Sequence, residues 1–154
     1  MFAIIDIETT GISAKKERIT EVAILLHDGN KITGEFSSLV NPERRVPYRI
    51  TQLTGITTAM VNDAPRICEI AKQIVELTED RVIIGHNVAF DYNFLREEFK
   101  RLYYDFKRDT LCTVKLSRKL IPHQPSYSLG KLCQSLKINN HARHRAMGDA
   151  MATG

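Results

Sequence analysis

The chain has 154 residues, 43% of them apolar and 26% charged, proportions that suit one folded domain with a single core and exclude a disordered tail. Its 22 Lys and Arg against 18 Asp and Glu leave a net charge of +4, a mild excess that permits a polyanionic partner without requiring one. No apolar run approaches the roughly 20 residues of a membrane span, and Asp6 and Glu8 interrupt what would be the apolar region of an export signal. A cytoplasmic protein with no membrane partner is expected. Cys68, Cys112 and Cys133 cannot all pair and lack the close spacing of a zinc site, so they read as reduced thiols.

Phe2 to Glu8 opens with a β-rich run closed by Thr9-Thr10-Gly11. Thr20 to His27 is a second apolar run, and the turn signal Asp28-Gly29-Asn30 leads into a third strand, Lys31 to Val40, in an antiparallel hairpin or meander. Asn41 to Tyr48 carries two prolines and reads as loop. From Pro65 the period changes: Ile67, Ile70, Ala71, Ile74 and Val75 form one face of a helix that Pro65 starts. Val82 to His86 is a short β-branched strand, and Phe90, Phe94, Leu95, Phe99 and Leu102 line one face of the next helix. Asp109 to Leu120 fits neither period cleanly, Tyr127 to Leu136 reads as a short helix, and a last helix begins near Ala146. Without a repeat or linker the chain reads as a single domain, 1–154, an α/β layered fold with a mixed sheet.

The strongest local oddity is Asp6-Ile7-Glu8 inside an apolar strand. Side chains two apart on a strand share a face, so these carboxylates lie side by side and repel. Hard divalent cations resolve that conflict, since oxygen ligands suit magnesium or manganese; a solvated strand end is the plainer alternative. Asp91 lies on the apolar side of its helix, though an acid in a first turn also answers the macrodipole. His144 precedes Asp149 by five residues, about 500° of helix, so the two converge only if His144 stays in the preceding loop. Four carboxylates and a base that titrates near neutrality are the set used in two-metal phosphodiester hydrolysis.

Three stretches carry a resemblance: Ile4-Ile5-Asp6-Ile7-Glu8-Thr9-Thr10-Gly11, then Gly85-His86-Asn87-Val88-Ala89-Phe90-Asp91-Tyr92-Asn93-Phe94-Leu95, then His144-Arg145-Ala146-Met147-Gly148-Asp149-Ala150. Together they resemble the DnaQ-like 3′–5′ exonucleases of the DEDDh group, the superfamily of polymerase proofreading domains on an RNase H-like fold. Ile50 to Thr57 looks like the segment these enzymes lay along the terminal nucleotide. The resemblance implies an antiparallel meander of three strands plus parallel strands, flanked by helices. It makes Asp6, Glu8, Asp91 and Asp149 the catalytic ligands of two divalent ions, Mg2+ or Mn2+, with His144 as general base. Thr9, Thr10, Gly11, Ile12, Leu53, Thr54, Asn87 and Phe90 would line the nucleotide, with Ile12 either an apolar wedge or plain core. Many relatives carry histidine where Thr54 stands.

The function so implied is metal-dependent 3′–5′ exonucleolysis at single-stranded 3′ ends, releasing nucleoside monophosphates in replication or repair. DNA is favoured over RNA. The rival is a non-catalytic nucleic-acid- or polymerase-binding module on the same scaffold, which has no need of repelling acids. Arg96, Lys100, Arg101, Lys115, Arg118 and Lys119 could neutralise phosphates, though a solvated helix face is the default reading. Gly154 follows Asp149 by five residues, where relatives continue the helix. A domain cut from a longer protein, with a polymerase partner or a fused nuclease or polymerase part, is the corresponding expectation.

Overall fold

Alternation along the first strand decides the architecture of the computed structural model, which describes residues 1–139 and 144–154. In β1 (Phe2–Thr9), Ala3, Ile5 and Ile7 enter one core while Ile4 enters another on the opposite side of the sheet. Strands β2 (Ile19–His27) and β3 (Ile32–Leu39) complete the antiparallel meander. Between them and the later strands come helices α1 (Tyr48–Thr54), α2 (Thr58–Asn62) and α3 (Ile67–Thr78). Strand β4 (Val82–Gly85) then pairs parallel with β1, from Phe2 opposite Val82 to Ile4 opposite Ile84. Helix α4 (Ala89–Arg101) leads to β5 (Thr110–Cys112), parallel to β4, followed by α5 (Thr113–Leu120), α6 (Leu129–Leu136) and α7 (Ala146–Thr153). The sheet order is β3-β2-β1-β4-β5, the expected mixed sheet between helices.

The larger core lies between the Ala3/Ile5/Ile7 face and helices α3 and α4. There Ile67, Ile70 and Ile74 meet Phe94, Leu95 and Phe99, so both helical stripes expected from the sequence face inward. On the other side α7 sits on Ile4, Ala23 and Leu25 through Ala146 and Ala150. Two alanines at i and i+4 let the helix backbone approach the sheet closely. Residues 41–47 are loop as expected, but α1 and α2 follow where no helix was foreseen. With 7 and 5 residues, neither is long enough to show a periodic apolar face; Val46, Ile56 and Val61 form the small cluster beneath them. Asp109 to Leu120 divides into a three-residue strand and a helix, too short a run of either period to be read. Among the described residues no helix is long and apolar enough to cross a membrane.

The close seating of α7 has a measurable consequence. Ala150→Leu forces extra volume against Ile4, Ala23 and Leu25 and should cost about 1–3 kcal/mol, read from urea denaturation. Unchanged stability would show that α7 has room to move.

Candidate active site

The face of β1 that carries Ile4 also carries Asp6 and Glu8, and α7 covers that face. Helix α7 brings Asp149 to the pair: one carboxylate oxygen from each of Asp6, Glu8 and Asp149 lies within 4.8 Å of the others. Three convergent carboxylate oxygens are the donor set of a hard divalent cation, so these residues fit the ion that the sequence predicts. Asp91 reaches the same strand from the first turn of α4 and is buried. Its Oδ1 accepts the Ile7 backbone N–H at 3.1 Å. The pairing of β1 with β4 ends at Ile4 opposite Ile84, and the carboxylate of Asp91 takes the place of the missing strand partner.

Burial pushes the Glu8 carboxyl up to about 8, with Asp149, Glu21 and Asp91 adding to the rise and Arg145 opposing it. Asp6 is raised well beyond the ordinary carboxylate range by burial first, then by Asp91, Asp149, Glu8 and Glu21. Burial also raises Asp91, while the backbone N–H groups it accepts from, that of Ile7 among them, restrain the shift. Desolvation and like charge act in the same direction on this face.

His144 lies outside α7 in a left-handed conformation, φ 62°, as convergence with Asp149 requires. Its backbone N–H donates to Asp149 Oδ2 at 3.0 Å. The apolar run of the second strand hides a further acid of consequence. Glu21 stands opposite Glu8 on β2 and is buried. Arg145 Nη2 donates to Glu21 Oε1 at 2.6 Å, its Nε donates to both carboxylate oxygens, and the Ala146 N–H donates to Oε2 at 3.0 Å. The available signal was an acid at one end of an apolar run, sharing a face with Ala23 and Leu25.

The other expected site residues lie at the end of β1 and in the loop after it, at the end of α1, and around the start of α4. The Thr9 hydroxyl donates to the Gly11 carbonyl at 2.6 Å, and that of Thr10 to the Glu17 carboxylate at 2.5 Å. A Cβ on Gly11 would stand 3.0 Å from the Glu17 side chain, so glycine is matched to that tight seat. Ile12 is 88% exposed, which removes the core alternative. Its loop is tied down by Arg101, which donates to the carbonyls of Ala14 and Lys15, and by Arg44, which donates to that of Lys16. Arg101 also pairs with buried Glu98. Leu53 is exposed, whereas Thr54 is buried, its hydroxyl donating to the Ile50 carbonyl and accepting the Ile56 N–H. Asn87 is exposed at φ 72° just before α4, and the half-buried Phe90 ring packs 5.0 Å from that of Phe94. Arg96 stands over the Tyr92 ring.

A mixed sheet with acids gathered where β1 meets α4 and α7 defines a class, the RNase H-like nucleases. The exonuclease family profile, RNase T, matches residues 3–154, and the chain belongs to that family. It is 36% identical over 153 residues to the DNA polymerase III subunit epsilon of Aquifex aeolicus, covering 99% of this chain and 76% of that one. It is 38% identical over 153 residues to the PolC-type DNA polymerase III of Clostridium perfringens, covering 99% of this chain. The chain spans only 10% of that polymerase's length. Among solved structures, exonuclease X in complex with 5′ overhanging duplex DNA superposes with a TM-score of 0.82 at 30% identity, covering 99% of this chain and 86% of that one. These likenesses fit the DnaQ-like DEDDh group.

The raised carboxyl pKa values make stability depend on pH in a defined sense. Below the unfolded values, 3.8 for Asp6 and 4.5 for Glu8, both states hold their protons and the site costs nothing. As pH rises, the unfolded chain releases protons that the folded chain retains, so stability falls up to the folded value of Glu8, about 8. In chelator, the melting temperature should therefore drop between about pH 5 and 8 through these groups, and millimolar Mn2+ at neutral pH should restore it. A melting temperature that is flat or rising across that window, and indifferent to Mn2+, contradicts the electrostatic account.

Proposed function

We propose that the chain is a divalent-metal-dependent 3′–5′ exonuclease that acts on single-stranded 3′ ends, DNA in preference to RNA, and releases nucleoside 5′-monophosphates. The observation that carries this reading is the convergence of Asp6, Glu8 and Asp149 within 4.8 Å on a covered sheet face, inside a chain of the exonuclease family. Asp6, Glu8, Asp91 and Asp149 would hold two ions, Mg2+ or Mn2+. When bound, these ions supply positive charge to the scissile phosphate and the leaving oxygen. His144 takes the proton of the attacking water on an imidazole nitrogen as the new P–O bond forms at the terminal nucleotide's 5′-phosphorus, and the bond from that phosphorus to O3′ of the penultimate nucleotide breaks, the departing oxygen taking a proton from solvent. The backbone of Thr9 to Gly11 and the side chains of Leu53, Asn87 and Phe90 border the terminal nucleotide. Ile12 abuts its base from a loop that Arg101 and Arg44 immobilise. Thr54 serves by shaping the end of α1, since its hydroxyl is already engaged by backbone.

The likenesses to a polymerase III subunit epsilon and to PolC-type polymerases support a place beside a polymerase, in replication or repair, in the cytoplasm. A non-catalytic binding module gains nothing from acids that burial and mutual repulsion hold partly protonated.

The test uses matched single-stranded DNA and RNA oligonucleotides labelled at either end. With Mn2+ or Mg2+, a 3′ label should leave at once as mononucleotide while a 5′ label shortens stepwise, and chelator should abolish both. His144→Ala should lower turnover by roughly 10²–10⁴-fold while leaving Mn2+ affinity near that of the wild type, whereas Asp6→Asn should lose both. Release from the 5′ end, or undiminished cleavage in excess chelator, overturns the assignment; faster digestion of RNA overturns the preference for DNA.

A further inference from the structure

We propose that Glu21, through Arg145, is a positioning residue that sets the start of α7 and so aims both Asp149 and His144 at the metal site; this rests on the metal-site reading above. Arg145 precedes α7 in an extended conformation and has no side-chain capping bond of its own. The cap comes from across the sheet: Glu21 Oε2 accepts the Ala146 N–H at 3.0 Å, one of the four N–H groups at a helix start that have no partner within the helix. The same carboxylate receives the Arg145 guanidinium as a fork, with Nη2 at 2.6 Å and Nε at 3.1 and 3.2 Å. A two-pronged charged contact fixes direction as well as distance.

Asp149 within α7 and His144 just before it are both tied to the residues this clamp holds. The Asp149 N–H donates to the Arg145 carbonyl at 3.0 Å, and the His144 N–H donates to Asp149 Oδ2 at 3.0 Å. Glu21 is 3% exposed and lies opposite Glu8, so it adds negative charge to a face already crowded with acids. A helix cap alone does not need a carboxylate there, since a neutral acceptor would serve. The guanidinium does need it, since its Nη2 and Nε reach both oxygens of that one carboxylate.

Calorimetric titration with Mn2+ tests the clamp, with amide hydrogen exchange of Ala146 to Ala150 in metal-free protein as the second readout. Glu21→Ala should weaken Mn2+ binding by about 10–100-fold and speed exchange at the start of α7. On single-stranded DNA it should lower kcat far more than it raises KM. Glu21→Gln, which keeps an acceptor for the Ala146 N–H, should recover part of the exchange protection but little of the affinity. Should Glu21→Ala fail to fold, Arg145→Lys, which keeps the charge and loses the fork, should show the same losses in milder form. Wild-type affinity, exchange and kcat in the folded variants overturn the clamp while leaving the metal site intact. Absence of Mn2+ binding to the wild type overturns the metal-site reading itself, and the clamp with it.

Discussion

Carboxylates two residues apart on a strand cannot separate, because the pleat holds both on one face. In β1 that face is roofed by α7, so Asp6 and Glu8 cannot turn fully to solvent either, and Asp149 arrives from the roof itself. Unit charges ~4 Å apart at an effective dielectric of ~20 repel by about 4 kcal/mol, a large share of the 5–15 kcal/mol that typically holds a domain together. Burial first, and repulsion from the neighbouring acids after it, keep the pair partly protonated and push Glu8 up to about 8. A divalent cation converts the same geometry from a liability into a binding site.

The rest of the fold keeps that geometry from relaxing. Ile5 and Ile7 anchor β1 in the larger core while Ile4 anchors it under α7, so the strand cannot rotate its acids away without losing both. Asp91 is held by the Ile7 N–H where β4 stops pairing, and Glu21 and Arg145 hold the start of α7. The loop after β1 is fixed by Glu17 and by the guanidinium groups of Arg44 and Arg101, with Arg101 itself steadied by Glu98. Ile12 is left exposed on that loop.

Much of this was legible in the residues because it rests on local periodicity. Alternation in Phe2–Glu8 forecasts both the strand and the shared face of its acids, and the i, i+3, i+4 stripes of Ile67–Val75 and Phe90–Leu102 forecast two core helices. The helices over Tyr48–Asn62 were not legible, since elements of 7 and 5 residues are set by tertiary packing of Val46, Ile56 and Val61 and by the left-handed Gly55, not by period. Glu21 escaped for a different reason. An acid in a strand reads as solvent-facing until the helix that covers it is known, and its partner Arg145 lies 124 residues away in sequence. Arg101, read as a solvated or phosphate-facing cation, is occupied by backbone carbonyls and Glu98 for the same long-range reason.

The central claim is that the crowded acids of β1, α4 and α7 exist to hold divalent cations. Anomalous diffraction at the manganese edge, from crystals of the wild-type chain grown with Mn2+ and no nucleic acid, tests it most directly. The account predicts anomalous peaks bounded by Asp6, Glu8, Asp91 and Asp149 and no peak of similar height elsewhere. Crystals at saturating Mn2+ with that face empty, or with manganese only at scattered surface acids, would contradict it.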